Sequence, residues 1–123
     1  MIYLIIGIGG FLGANARYLV GHWFAERYGP SFPHGTLVIN VSGSLAIGFF
    51  LALITERVNV HPNWRLFFVT GFLGAYTTFS TFSFETFALL QERSYLLALA
   101  NVVGSVTLGL IAVLVGVIAA RAL

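Results

Sequence analysis

The chain has 123 residues, of which 59% are hydrophobic and only 8% are charged. Soluble domains carry about 25% charged residues, so this composition excludes an ordinary soluble domain and indicates a membrane protein. The net charge of +2 is too small and too scattered to suggest nucleic-acid binding. The absence of cysteine excludes disulfides and thiolate metal sites.

Four apolar segments could each form a helix that crosses a membrane, which needs about 20 residues. They are segments 2–20, 37–54, 66–90 and 95–120. The helices predicted from them span about 2–24, 35–55, 65–91 and 95–120. The connections are short, and two of them contain proline, which breaks helices. We therefore expect one all-α, multi-pass domain over residues 1–123, in the plasma membrane or a cell inner membrane, with no soluble part that could house an enzyme.

The first half of the first predicted helix is rich in glycine, with Gly7, Gly9, Gly10 and Gly13. Small residues let membrane helices approach closely, and four packed helices leave little room for a wet path. Transport by this chain would therefore require an oligomer. Arg17 lies late in the same helix, where it either extends to the lipid headgroups or draws anions towards a pore mouth.

The second predicted helix has a polar face in an apolar segment. Thr36, Asn40 and Ser44 follow one another at intervals of four residues, which places them on one side of a helix. Polar groups are expensive to bury in a membrane, so they mark either hydrogen bonds between helices or a functional path.

The third predicted helix carries the most unusual stretch, GAYTTFSTFSFE at residues 74–85. Phe79 and Phe82 share one stripe, and Ser80 and Ser83 form a neighbouring one. Two rings that present their positive edges could receive an anion, while the hydroxyls replace its lost hydration. Packing of an aromatic stripe is the alternative interpretation.

Gly71, Gly74 and the Thr77-Thr78 pair weaken the helix just before these rings. We therefore predict a break near Gly74–Thr77. Such a break frees backbone carbonyls for a cation and directs the N-terminus of a half-helix at an anion. The competing interpretation is a continuous helix whose glycines serve close packing.

The fourth predicted helix has two polar residues, Asn101 and Ser105, four positions apart and on one face. Packing between helices is the default interpretation for both.

The arginines give little indication of orientation. Four crossings place both termini and the 54–64 connection on one membrane face, with Arg57, Arg65 and Arg121. The other face has Arg17, Arg27 and Arg93. Because an excess of basic residues in short loops normally sets orientation, this balance favours either insertion in both directions or control by one dominant arginine.

Three blocks of the sequence resemble the signature blocks of the Fluc (CrcB) fluoride channels. They are GGFLGANARY, HGTLVINVSGS and GFLGAYTTFSTFSFE, in the expected order in helices 1 to 3. Helix 4 matches only loosely. The resemblance implies passive export of fluoride, which limits its toxicity, by an antiparallel, dual-topology homodimer with two pores, surrounded by membrane lipid and holding a central Na⁺.

The resemblance also implies roles for individual residues. Those along the fluoride path would be Phe79, Phe82, Asn40, Ser80, Thr81, Ser83, Glu85, Ser105 and Thr36. Arg17 would lie in the vestibule, and the backbone carbonyls of Gly74 and Thr77 would bind the Na⁺. One departure is Asn101, which stands where some members carry a tyrosine that faces the pore.

Two rivals come from other classes. A small multidrug-resistance-like antiporter has a similar size and topology, but its proton exchange needs a carboxylate in helix 1, and Glu26 lies in the loop that follows. A pore-forming or assembly subunit without selectivity would explain the glycines but not the cluster of rings and hydroxyls.

Overall fold

The computed structural model describes all 123 residues, and nearly all of them are helical. The helices, in chain order, are α1 (Ile2–Tyr28), α2 (His34–Ala52, prolonged by the π-helical turn Leu53–Arg57), α3 (residues 62–76, made of Pro62–Arg65, the π-helical Leu66–Leu73 and Gly74–Tyr76), α4 (Phe79–Gln91) and α5 (Tyr95–Arg121).

Three of these helices are long and apolar enough to cross a membrane alone: α1, α2 with its π-helical turn, and α5. The remaining crossing consists of α3 and α4, with an interruption between them. The all-α fold with four crossings is therefore confirmed. The predicted helix at 65–91 is two helices, and α1 extends to residue 28 rather than to about 24.

The helices α1 and α3 cross with their backbones in contact. A side chain on Gly13 would overlap the carbonyl of Phe72, and one on Gly71 would lie 2.7 Å from the carbonyl of Ile6 and 3.1 Å from the Cα of Gly9. Gly71 is itself helical. Its role is therefore close packing, rather than the weakening of the helix that the sequence suggested.

This crossing gives a stability prediction with an internal control. We expect Gly13→Ala to lower the free energy of unfolding by about 1–3 kcal/mol, the usual cost of overpacking a tight contact. A Cβ on Gly7 would meet nothing within 4 Å, so Gly7→Ala serves as the matched control. Thermal unfolding of both variants in detergent checks this, and equal melting temperatures would contradict the contact.

The C-terminal ends of α2 and α5 are tied together at one membrane face. Arg121 donates to Glu56 through Nε at 2.8 Å and through Nη2 at 2.9 Å. Arg57 donates to the carbonyls of Arg121 and Leu123 at 2.7 and 3.0 Å. The C-terminus and the 54–64 connection therefore share one face, as the count of crossings predicted.

Candidate functional site at the helix break

The interruption between α3 and α4 consists of two residues with extended backbones, Thr77 (φ −81°, ψ 156°) and Thr78 (φ −148°, ψ 120°). Thr78 begins the next helix, because its hydroxyl accepts a hydrogen bond from the Thr81 N–H at 3.2 Å. The predicted break is confirmed at the C-terminal edge of the expected stretch. Gly74 remains helical, with φ −60° and ψ −38°.

Asn40 of α2 braces this break. Its Oδ1 accepts a hydrogen bond from the Thr78 N–H at 2.8 Å, and its Nδ2 donates to the Thr78 carbonyl at 3.0 Å. The side chain thus satisfies both backbone groups of a residue that has left the helix, as irregular backbone within a membrane requires. An amide nitrogen has two hydrogens, so one N–H of Asn40 remains for a ligand.

The carbonyls of Gly74 and Thr77 lose their helical donors at the break. The Thr78 N–H, which would reach Gly74 in a continuous helix, donates to Asn40 instead. The Thr81 N–H, which would reach Thr77, donates to the Thr78 hydroxyl. The two carbonyls named from the sequence as cation ligands are therefore released from the helical ladder.

Arg17 lies half-buried beside the break. Its Nε donates to the Ala75 carbonyl at 3.0 Å. A cation is favoured at the C-terminal end of a helix, and here it binds the last turn of α3. The guanidinium is therefore held in place by a bond that joins α1 to α3.

A cavity of about 630 Å³ lies on one side of the break, among α1, α2 and α4. Four residues predicted as pathway or vestibule residues line it, namely Arg17, Thr36, Thr81 and Glu85. The Glu85 carboxylate has a buried oxygen, Oε1, without a hydrogen-bond partner, and the same is true of Nδ1 of His34, which also lines the cavity. The structure therefore brings these predicted residues together around one polar space.

A second cavity, of about 350 Å³, lies on the other side of the break. Its lining includes Asn40, Gly74, Thr77 and Phe79, and Thr78 lines both cavities. Since Thr78 lines both spaces and Asn40 is hydrogen-bonded to it, this pair lies between the two cavities, and we call the pair the partition.

The two predicted rings lie close together on α4. The ring centroids of Phe79 and Phe82 are 5.8 Å apart, and their planes are inclined at 45°. The Phe79 side chain is 79% exposed in the single chain. Ser80 and Ser83 are also exposed, whereas Phe82 is half-buried, so this part of α4 presents the Phe79 ring and two hydroxyl-bearing residues to whatever surrounds the chain.

Ser105 lies apart from both cavities, with its hydroxyl 3.4 Å from Oδ1 of Asn101. Asn101 is almost completely buried, at 1% exposure, and its Nδ2 donates to the Thr86 hydroxyl at 2.9 Å. Sequence reasoning missed Thr86, whose only signal was a hydroxyl seven positions after Phe79 on the same stripe. Sequence reasoning also missed that Thr78 caps α4, although a threonine just before the start of a helix is a signal for an N-cap.

Known proteins match nearly the whole chain. The family model described as CrcB-like protein, Camphor Resistance (CrcB), matches residues 4–117. A fluoride-specific ion channel FluC from Solibacter usitatus is 54% identical over 121 residues, which cover 98% of this chain and 99% of that protein. Proteins of the same name from Chloroflexus aurantiacus (49% identity, 93% of this chain and 90% of that protein) and Rhizobium meliloti (47%, 98% and 96%) are also similar.

Proposed function

Because the chain belongs to the CrcB family, we propose that it is a fluoride-selective ion channel, which lets fluoride leave the cell passively and so limits its toxicity. The observation that carries this proposal is the partition of Asn40 and Thr78 between two cavities. It offers a free N–H donor between the two cavities. The protein is not an enzyme.

Fluoride is small and strongly hydrated, so a dry path must replace its water with hydrogen-bond donors. The free N–H of Asn40 and the hydroxyls of Thr36, Thr81 and Ser80 supply such donors, whereas the Ser83 hydroxyl donates to the Phe79 carbonyl at 3.0 Å. The positive ring edges of Phe79 and Phe82 add weaker attraction. Arg17 raises the local anion concentration at the entrance, and Glu85 borders the polar track.

Proton-coupled export of a cationic drug, the alternative function, fits the chain poorly. That chemistry needs a carboxylate within α1, and the acid of this helix is Glu26, which lies near its end and is exposed beside His22 at 2.9 Å. No other acid is available in α1 to exchange a proton at membrane depth.

Efflux from liposomes tests the proposal. Vesicles with purified protein and internal potassium fluoride should release fluoride only when valinomycin lets K⁺ leave, since passive anion flow builds up a voltage. Release that requires a proton gradient, or release of a cationic dye in place of fluoride, would overturn it.

The working unit in this proposal is an antiparallel homodimer within the lipid bilayer. Ser80 and Ser83 are exposed on α4, and hydroxyls are costly to leave against hydrocarbon. A second copy that covers this face removes that cost and also covers Phe79. The balanced arginines agree with insertion in both orientations.

Two single-cysteine variants test the orientation, since the chain has no cysteine of its own. Leu123→Cys places a thiol on the face of the C-terminus, and Gln91→Cys places one at the end of α4, next to the opposite connection. With both orientations present, about half of each variant should react with an impermeant maleimide in sealed cells. A single orientation would label one variant fully and the other not at all.

Na⁺ at the dimer centre completes the proposal. The chain has no group of three or more His, Cys, Asp or Glu side chains that could hold a metal, so a cation would rely on backbone oxygens. Gly74 and Thr77 each have a carbonyl without its helical donor. Two copies together would supply four such ligands to a small hard cation.

Thorough replacement of Na⁺ by N-methyl-D-glucamine should therefore weaken the dimer and lower fluoride efflux. Chromatography in detergent measures the first effect without any activity assay. Unchanged dimer content and unchanged flux after exhaustive exchange would contradict a structural Na⁺.

A further inference from the structure

The helix α4 has few interactions that could fix its rotation. It is 13 residues long, Leu89 is its only buried residue, and Phe79 at its start is exposed. Its one side-chain hydrogen bond to α5 joins the Thr86 hydroxyl to Nδ2 of Asn101, at 2.9 Å. The orientation of α4 against α5 therefore depends heavily on this contact.

The contact belongs to a one-way relay of hydrogen bonds. Ser105 donates to Oδ1 of Asn101 at 3.4 Å, and Asn101 donates through Nδ2 to Thr86 at 2.9 Å. Thr86 in turn donates to the carbonyl of Phe82 at 2.8 Å. The Asn101 amide, which is buried at 1% exposure, therefore has a hydrogen bond at both its oxygen and its nitrogen. The relay ends at the backbone carbonyl of Phe82, a residue of the proposed fluoride path.

Helical spacing connects the relay to both rings. Phe79, Phe82 and Thr86 follow one another at intervals of three and four residues, so they lie on one stripe of α4. A bond that fixes Thr86 relative to α5 therefore fixes the rotation of the whole stripe. We propose that Asn101 is a positioning residue: through Thr86 it holds the Phe79–Phe82 stripe of α4 in the orientation that selects fluoride.

A merely structural role would have a different consequence. If Asn101 and Thr86 served only to satisfy each other, replacing both with apolar residues of similar shape would restore stability and function together, since such paired replacements are nearly neutral. If they position the stripe, the double variant is stable but its rings are no longer held in register. The double variant then keeps its stability but loses its selectivity for fluoride.

The test uses fluoride and chloride efflux from liposomes, together with thermal unfolding in detergent. Thr86→Val, which strands the Asn101 N–H, should lower fluoride efflux about tenfold, the rate equivalent of one hydrogen bond. Thr86→Ser keeps the hydroxyl and should stay within about twofold of the unmodified protein. Thr107→Val, which removes an exposed hydroxyl elsewhere on α5, is the control.

The deciding variant combines Asn101→Leu with Thr86→Val. We expect it to melt at the temperature of the unmodified protein and to show about a tenfold lower fluoride-to-chloride ratio. Normal selectivity in this stable double variant, or loss of flux in Thr86→Ser equal to that in Thr86→Val, would overturn the positioning role. The inference rests on the proposed function, and the two fail differently: if the unmodified protein releases no fluoride, the proposed function is wrong, whatever the variants do.

Discussion

Replacement of Asn40 by aspartate is expected to lower fluoride efflux by about a hundredfold or more. The Asn40 amide both accepts from the Thr78 N–H and donates to the Thr78 carbonyl. A carboxylate keeps the first bond, places an acceptor against an acceptor in the second, and removes the free N–H. The lost hydrogen bonds alone are worth about 1–3 kcal/mol, and a negative charge at the partition repels the anion itself.

Asn40→Ala should give a smaller loss, about tenfold to a hundredfold, because it removes the brace without adding charge. Asn15→Asp is the matched control, since Asn15 is an exposed amide on α1 that donates only to the Phe11 carbonyl one turn before it. Fluoride electrodes in liposome efflux measure all three variants. Fluoride efflux in Asn40→Asp equal to that in the control would remove Asn40 from the path.

The second large effect is expected at the two rings. Phe79→Ile and Phe82→Ile keep apolar bulk but remove the positive ring edge, so each should lower fluoride efflux about tenfold or more, the rate equivalent of a ring interaction of about 1.4 kcal/mol. Folding should survive for Phe79, whose side chain is 79% exposed in the single chain. Size-exclusion profiles would establish that each variant is intact before its flux is compared.

Phe84→Ile and Phe87→Ile are the matched controls. Both residues are exposed on the same helix, at 72% and 54%, and lie outside the stripe of Phe79 and Phe82. Fluoride efflux in these controls should stay near that of the unmodified protein. If all four variants conduct alike, the rings of Phe79 and Phe82 serve packing only.

The sequence predicted the break in the third crossing, but the residues that leave the helix are Thr77 and Thr78 rather than the glycines. Thr77 and Thr78 are β-branched residues that favour extended backbone, and a threonine is well suited to cap a new helix. Both signals are local and can be recognised from the sequence alone. Gly71 gave a misleading signal, since glycine both weakens helices and permits close crossings, and only the position of α1 decides between them.

The hydrogen-bond partners of the polar side chains could not be predicted from the sequence. Asn40 was expected to serve as an anion donor, yet two of its hydrogen-bonding groups bind Thr78, 38 residues away. Arg17 binds the Ala75 carbonyl across 58 residues. Helical periodicity states which residues share a face, but it does not state which carbonyl lies opposite that face. The bracing role of Asn40 and the relay through Asn101 therefore required the packed helices.

The central claim is that the partition at Asn40 and Thr78 admits fluoride and rejects chloride. The most direct test measures fluoride and chloride efflux in parallel from liposomes that hold the unmodified protein, with valinomycin present. The partition offers one free amide donor, and the Phe79 ring lines the cavity beside it, so we expect rapid release of fluoride and no chloride release above that of protein-free vesicles. Equal release of the two anions would contradict the account.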